Sequence, residues 1–209
     1  MLDIYVINLK EREDRWNNII KTFGTNFNLI RVDAVKHENG LIGCFMSHQK
    51  CLNIAKEKRL KNIIVIEDDC IINPLYKDNF INKINEIEHF LNNYNEWDIF
   101  LGACNRTLGT NIIKKIINNK NIYIQINMAT TAHFIIYNQT SYDFFLNIHT
   151  INEAIDRIWH YKLKALTLLP FIFYQLNNYS DIEKTETNYI RKIQITEKRL
   201  LNYIDNNKI

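Results

Sequence analysis

The chain has 209 residues, a length that predicts one domain. Its hydrophobic fraction of 46% allows a large core, and no apolar run approaches the roughly 20 residues that a bilayer span needs. The formal net charge of +3 is mild and by itself argues neither for nor against nucleic acid. No block of like charge forms a basic stripe, so we predict no nucleic-acid partner.

Two features predict a cytoplasmic protein with reduced thiols. The first residues, Met1 to Tyr5, lack the basic start and small-residue cleavage site of a signal peptide. The four cysteines form no Cys-x-x-Cys pair, which argues against zinc or a disulfide framework. They are Cys44, Cys51, Cys70 and Cys104.

The first half of the chain alternates apolar runs with helical periodicity. The apolar runs predict strands at residues 3–9, 27–32, 62–66 and 97–102. Trp16, Ile19, Ile20 and Phe23 are spaced as one face of a helix, and a further helix follows Pro74. Between them, Gly40 and Gly43 are predicted to bracket a turn, with Ser47 preceding or opening a helix. This β-α-β order is typical of a layered α/β sheet.

The second half has weaker patterns. We predict a mobile loop at 105–121, then a strand at 122–126 with 132–137 as its partner. A helix is predicted at 141–148, a strand at 163–169 and a terminal helix at 187–204.

Three carboxylates, Glu67, Asp68 and Asp69, follow the most apolar of these strands. Charges cannot be buried unpaired, so these acids must face water, a cation or a polar ligand. Strand alternation would place Glu67 and Asp69 on one face and Asp68 on the other. Oxygen donors at the carboxyl edge of an α/β sheet suit Mg²⁺ or Mn²⁺. The alternatives are a solvated acidic loop or helix-capping acids.

Polar residues also follow the first two strands. Arg12 and Arg15 fall near the start of the first helix, where acids are favoured, so they indicate either a docked anion or an exposed pair balanced by neighbouring acids. Asp33, at the edge of the second strand, is placed to contact a ribose or base. Ser47 and His48 are either a helix cap and a surface histidine or part of a donor cleft.

At this point the residues resemble a known family. Gly43 to His48, followed downstream by Ile66 to Asp69, resembles glycosyltransferase family 25. That family includes bacterial lipooligosaccharide galactosyltransferases and the galactosyltransferase domain of collagen-modifying enzymes. Looser similarities lie at 5–9 with Arg12 and Arg15, at 31–35, at 132–136, at 154–156 and at 180–182.

The resemblance implies a GT-A type fold, a Rossmann-like mixed sheet flanked by helices. Residues 1–209 would form one domain, with a nucleotide-sugar-binding half at 1–102 and an acceptor-side half with the C-terminal helix at 103–209. The activity that the resemblance implies is inverting transfer of a hexose, galactose or glucose, from a UDP-sugar, with Mn²⁺ or Mg²⁺ as cofactor. The acceptor would be a hydroxyl of a glycan or of a hydroxylated protein.

The resemblance also suggests roles. Asp69 would bind the ion directly, Glu67 would act as a second ligand or through water, and Asp68 would contact ribose or sugar hydroxyls. Asp156 would be the general base, with an ion pair to Arg157 or a helix cap as alternatives and Asp181 as the runner-up. The remaining donor-site residues would be Asn8, Arg12, Arg15, Asp33, Ala34, Ser47 and His48.

Three other functions compete with a transferase. One is a catalytically degenerate member that binds a sugar or nucleotide, which the intact acidic trio argues against. A phosphoryl- or nucleotidyl-transfer enzyme lacks support because the chain has no Gly-x-x-x-x-Gly-Lys-Ser/Thr loop. A scaffold protein does not account for arginines and acids that converge on one sheet edge.

Overall fold

The computed structural model describes residues 1–24, 26–180 and 185–207. Within those residues the helices are α1 (Glu13–Phe23), α2 (Gly40–Glu57), α3 (Phe80–Asn93), α4 (Gln139–Leu146) and α5 (Tyr189–Asn207). The strands are β1 (Asp3–Asn8), β2 (Asn28–Asp33), β3 (Asn62–Glu67), β4 (Cys70–Ile72), β5 (Ile99–Leu101), β6 (Ile112–Asn118), β7 (Asn121–Ile126), β8 (Phe134–Asn138), β9 (Ala165–Leu169), β10 (Phe173–Gln175), β11 (Asn178–Ser180) and β12 (Thr185–Thr187).

Eight strands form one mixed sheet in the order β2-β1-β3-β8-β5-β9-β7-β6. Strand β1 is parallel to both β2 and β3, and β5 is parallel to β9, whereas the remaining neighbours are antiparallel. Two small antiparallel ribbons, β10-β4 and β11-β12, accompany this sheet. The prediction of a GT-A type, Rossmann-like mixed sheet flanked by helices is confirmed.

The sheet is buried on both faces. On β3, Ile63 and Val65 pack into the core shared with α2, α4 and α5. The alternate residues, Ile64 and Ile66, pack into the core shared with α1 and α3. Because both faces are covered, β3 needs apolar side chains at every position, which explains its uninterrupted apolar run.

The parallel register brings three strand ends to the same edge. Asn8 of β1 is opposite Asp33 of β2, and Ile7 is opposite Glu67 of β3. The polar residues that follow these strands therefore lie along one carboxyl edge, where open α/β sheets bind ligands.

Helix α2 begins earlier than predicted. Gly40 and Gly43 lie inside α2 and do not bracket a turn, and the helix is capped by Asn39, whose side chain accepts a hydrogen bond from the Leu41 N–H at 3.0 Å. Ser47 is therefore neither a cap nor a helix start. Gly43 is explained by close packing, because an added Cβ would lie 2.6 Å from the carbonyl oxygen of Val35.

Two predictions for the second half are wrong. The segment 105–121 is not a loop throughout, because it contains β6 and a short 3₁₀ turn at Gly109–Asn111. Strand β8 does not pair with β7; it lies between β3 and β5, while β7 pairs with β6 and β9. Sequence alternation marks a strand but not its partner, so this long-range insertion left no local trace.

None of the helices in the described ranges combines the length and apolar character that crossing a bilayer requires.

Helix α5 is attached to the sheet by a carboxylate. Glu197 accepts a hydrogen bond from the backbone N–H of Phe171 and another, at 3.0 Å, from the hydroxyl of Tyr174. Burial raises the pKa of Glu197, although these two hydrogen bonds oppose that shift. The carboxylate thus satisfies a backbone donor in the segment between β9 and β10.

We predict that Glu197→Ala lowers the free energy of unfolding by about 1–3 kcal/mol, because it leaves the Phe171 N–H without its acceptor. Glu197→Gln retains an acceptor oxygen and is expected to lose less. Urea unfolding of both variants measures the difference, and equal losses would mean that the hydrogen bond does not matter.

Candidate active site

A pocket of about 130 Å³ lies beside the end of β3. Glu67 contributes one wall, Cys44 of α2 a second, and Asp156 a third. Gln175 of β10 and Tyr189 of α5 also line it. The pocket therefore gathers side chains from both halves of the chain around two carboxylates.

Glu67 is oriented by α2. It continues the phase of Ile63 and Val65, so it points to the helix that carries Cys44 and His48. Its Oε1 atom accepts a hydrogen bond from Cys44 Sγ at 3.3 Å and lies 3.4 Å from His48 Nε2. Burial opposes ionisation of Glu67, but the contacts with His48 and Cys44 and the nearby His133 together outweigh it, so the pKa of this carboxyl lies below its ordinary value.

The carboxylate charge of Asp69 is less well compensated than that of Glu67. Its Oδ2 atom accepts a hydrogen bond from Gln175 at 3.1 Å, but the buried Oδ1 atom has no hydrogen-bond partner among the described residues. Burial, followed by the nearby charge of Glu67, raises the pKa of Asp69 to about 7. A divalent cation would satisfy such an oxygen and relieve the repulsion, so the residues present fit Mg²⁺ or Mn²⁺.

Asp68 points to the other side of β3. Its carboxylate lies 2.7 Å from Arg15 Nη1 and accepts a hydrogen bond from Asn8 Nδ2, also at 2.7 Å. Two expected donor-site residues, Arg15 and Asp68, therefore contact each other directly. This ion pair connects α1 to the turn that follows β3.

The other residues expected near the diphosphate or nucleoside lie along the same edge. Arg12 forms a two-pronged contact with Asp14, both bonds at 2.9 Å, and half-exposed Asp33 lies 3.1 Å from Lys10 Nζ. The Ala34 N–H donates to the carbonyl of Asn8 at 3.0 Å. None of these residues lines the pocket that Glu67 and Asp156 share.

Ser47 and His48 are fully buried behind that pocket. The Ser47 hydroxyl donates to the Gly43 carbonyl at 2.6 Å and accepts from the Val35 N–H at 2.8 Å. His48 lies between Glu67 and the hydroxyl of Tyr137, which is 2.9 Å from Nδ1. In this structure both residues support the wall of the site, and the side chain that reaches the pocket from this motif is Cys44.

Asp156 occupies a series of turns at 155–162, not the helix start suggested by the resemblance. Its Oδ2 atom accepts a hydrogen bond from the Thr131 N–H at 2.8 Å, while Oδ1 is buried without a hydrogen-bond partner in the described part of the chain. Burial raises the pKa of Asp156. The φ angle of Thr131 is 110°, a conformation that strains a β-branched residue and is typical of functional sites.

Several pocket residues were missed by the sequence analysis. Cys44 had a recognisable pattern, because it precedes His48 by one helical turn and so shares its face of α2. Gln175 and Thr131 had none, since each reaches the site through pairing of distant segments. Asp181, the runner-up base, lies outside the described residues.

The fold and the acid-lined pocket define an α/β protein with a ligand site at the carboxyl edge of its sheet. The model of glycosyltransferase family 25, described as LPS biosynthesis protein, matches residues 38–159. That match covers more than half of the chain, and the chain belongs to glycosyltransferase family 25. No match is found among the curated proteins.

Solved structures with a related arrangement share little sequence with the chain. One is a glycosyltransferase involved in the glycosylation of the major capsid of PBCV-1, with 9% identity and a TM-score of 0.38, covering 69% of this chain and 62% of that one. The chain thus spans less than two thirds of that protein's length. Apo UDP-glucose pyrophosphorylase has 10% identity and a TM-score of 0.44, covering 99% and 82%. HddC from Yersinia pseudotuberculosis has 11% identity and a TM-score of 0.39, covering 80% and 89%.

We predict that Asp69→Asn stabilises the protein when a chelator removes divalent ions. The raised pKa means that the folded state disfavours ionised Asp69, so stability is lost as pH rises from the ordinary value of 3.8 to about 7. The gain over wild type should therefore be large near pH 8 and smaller near pH 5.

Thermal unfolding at the two pH values measures this gain. Asp68→Asn is the matched control, because removing the partner of Arg15 should destabilise the protein. A gain in Asp69→Asn that does not depend on pH would contradict the argument.

Proposed function

We propose that this family 25 member is a metal-dependent, inverting glycosyltransferase. It transfers a hexose, galactose or glucose, from a UDP-sugar to a hydroxyl of a glycan or hydroxylated protein. The observation that carries the proposal is the shared pocket of Glu67 and Asp156, two carboxylates from opposite halves of the chain. Such transfer needs charge stabilisation at the leaving diphosphate and a base at the acceptor hydroxyl, and the two carboxylates suit these separate tasks.

Asp69 and Glu67 are the residues that would bind Mn²⁺ or Mg²⁺. The Oδ1 atom of Asp69, which has no hydrogen-bond partner among the described residues, would supply a direct ligand, and Glu67 would supply a second oxygen or bind through water. When bound, the ion neutralises charge that develops on the diphosphate. Gln175 fixes the orientation of the Asp69 carboxylate through its hydrogen bond to Oδ2.

The nucleotide would lie along the ends of β1 and β2. Asn8, Asp33 and Ala34 line this part of the sheet edge, with Arg12 and Arg15 above it on the segment that begins α1. An incoming diphosphate would compete with Asp14 for Arg12 and with Asp68 for Arg15. The guanidinium groups are therefore preoriented by carboxylates whose place phosphate oxygens would take.

Asp156 is proposed to accept the proton of the acceptor hydroxyl. Asp156 lines the pocket, its Oδ1 atom has no hydrogen-bond partner in the described part of the chain, and the Thr131 N–H fixes the other oxygen. Burial raises its pKa, which makes the carboxylate a stronger base than an exposed aspartate. An acceptor hydroxyl bound between Asp156 and Glu67 would be deprotonated on the side that faces the donor sugar.

We expect Asp69→Ala to abolish sugar transfer while the protein remains folded, because the ion loses its direct ligand. UDP release from UDP-galactose, UDP-glucose and UDP-N-acetylglucosamine, with and without Mn²⁺, measures the loss and identifies the donor. Asp143→Ala is the control, since that exposed aspartate on α4 pairs with Lys56 on the protein surface. Wild-type turnover of Asp69→Ala in Mn²⁺ would exclude Asp69 from the metal site.

We expect Asp156→Asn to lower kcat by about 10²–10⁴-fold, the usual contribution of a general base, while UDP binding is unchanged. Asparagine is nearly the same size and can still accept the Thr131 N–H, so the fold should be preserved. Calorimetric titration with UDP and steady-state kinetics separate the two effects. Weakened UDP binding with normal turnover at saturation would instead assign Asp156 to the donor site.

A further inference from the structure

Three side chains beside the pocket form a compact set of possible metal ligands. Cys44 Sγ, His48 Nε2 and a Glu67 oxygen all lie within 4.8 Å of one another. Cys44 and His48 are one turn apart on α2, and Glu67 ends the neighbouring strand β3. Two rigid elements therefore supply the three donor atoms.

The distances between these atoms suit a tetrahedral ion. Zinc bonds of about 2.0–2.3 Å place ligand atoms about 3.3–3.6 Å apart at tetrahedral angles. Glu67 Oε1 is already 3.3 Å from Cys44 Sγ and 3.4 Å from His48 Nε2. The third pair, Cys44 Sγ and a ring nitrogen of His48, lies within 4.8 Å.

The surroundings also favour an ion at this position. A histidine that binds metal usually donates its second ring N–H to another group, and His48 Nδ1 lies 2.9 Å from the Tyr137 hydroxyl. His48 is buried, whereas Cys44 and Glu67 line the pocket, so a fourth coordination position would open to the pocket. Three protein ligands with one open position are typical of an accessible zinc site.

We propose that Cys44, His48 and Glu67 form a second cation site, selective for Zn²⁺ over Mn²⁺. A thiolate and an imidazole are soft or borderline ligands that favour Zn²⁺, whereas carboxylate oxygens such as those of Asp69 suit Mn²⁺. Binding forms a bond between Cys44 Sγ and the ion and breaks the S–H bond, and the proton leaves to water through the pocket. The site shares Glu67 with the proposed Mn²⁺ or Mg²⁺ site but needs neither Asp69 nor Asp156, so substitutions at Cys44 and at Asp69 distinguish the two proposals.

Cobalt reports a thiolate ligand directly. Titration of the purified, full-length protein with Co²⁺ should produce the near-ultraviolet absorption band of thiolate-to-cobalt charge transfer, saturating at one equivalent. One equivalent of Zn²⁺ should remove the band, and an excess of Mn²⁺ should not. No band in the folded wild-type protein, or removal of the band by Mn²⁺ as readily as by Zn²⁺, would overturn the proposal.

Variants identify the ligand. Loss of an outer partner alone weakens metal binding by about 10–100-fold, so Cys44→Ala should lose the band and bind Zn²⁺ at least about 100-fold more weakly. Cys51→Ala is the matched control, because Cys51 is a buried thiol two turns further along α2. A band that persists in Cys44→Ala, or disappears in folded Cys51→Ala, would contradict the assignment.

Two further variants cover the remaining outcomes. If Cys44→Ala does not fold, Cys44→Ser takes its place, because it nearly preserves the volume and is likewise expected to lose the band. Asp69→Asn should keep the band, even if it loses Mn²⁺-dependent transfer. The Cys44 and Asp69 variants thus test the zinc site and the proposed transferase mechanism separately, although both proposals use Glu67.

Discussion

The structure depends on the cost of placing three consecutive carboxylates at the end of a strand that is buried on both faces. Each carboxylate needs a partner, and the three side chains point in different directions from the end of β3. Glu67 meets His48 and Cys44, Asp68 meets Arg15 and Asn8, and Asp69 meets Gln175. The partners come from α2, from α1 with β1, and from β10. Compensating this charge therefore ties the two helical layers and the small ribbon to a single strand end.

The charges of the three carboxylates are not equally well compensated. Asp68 has an oppositely charged partner, and Glu67 has a histidine, but Asp69 has a neutral amide on one oxygen. A protein selected only for stability would gain by replacing Asp69 with a neutral residue. Its contact with Gln175, which lines the pocket, places this unfavourable charge close to where a ligand could use it. The same reasoning applies to Asp156, whose second oxygen is buried without a partner in the described residues.

Local patterns predicted the first half of the fold well. The strands β1, β2, β3 and β5 and the helices between them follow from apolar runs and helical spacing, because each signal lies within a few residues. The predicted start of α2 is wrong because Gly43 does not mark a turn. Its small size instead allows the close contact with the Val35 carbonyl. The insertion of β8 between β3 and β5 was missed because pairing over such a distance depends on the whole sheet.

The candidate site was predictable to a similar extent. The acids of β3 and the polar ends of β1 and β2 could be placed on one edge, since parallel strands share an edge. The depth of each side chain could not be deduced, so Ser47 and His48 were expected in a cleft although they lie behind its wall. Gln175 and Thr131 reach the site through the pairing of segments that are distant in sequence, which neither residue type nor spacing reveals.

The pairing of β10 with β4 has a consequence for how the molecule matures. In this ribbon Gln175 lies opposite Cys70, so the residue that orients Asp69 arrives more than one hundred positions after it in synthesis. The first half of the chain also lacks β8, which must enter between two strands made earlier. A nascent chain therefore carries Asp69 without its final partner until Gln175 is made, whereas the partners of Glu67 and Asp68 precede them in the chain. This part of the site is assembled late, by contacts of high sequence separation that form slowly.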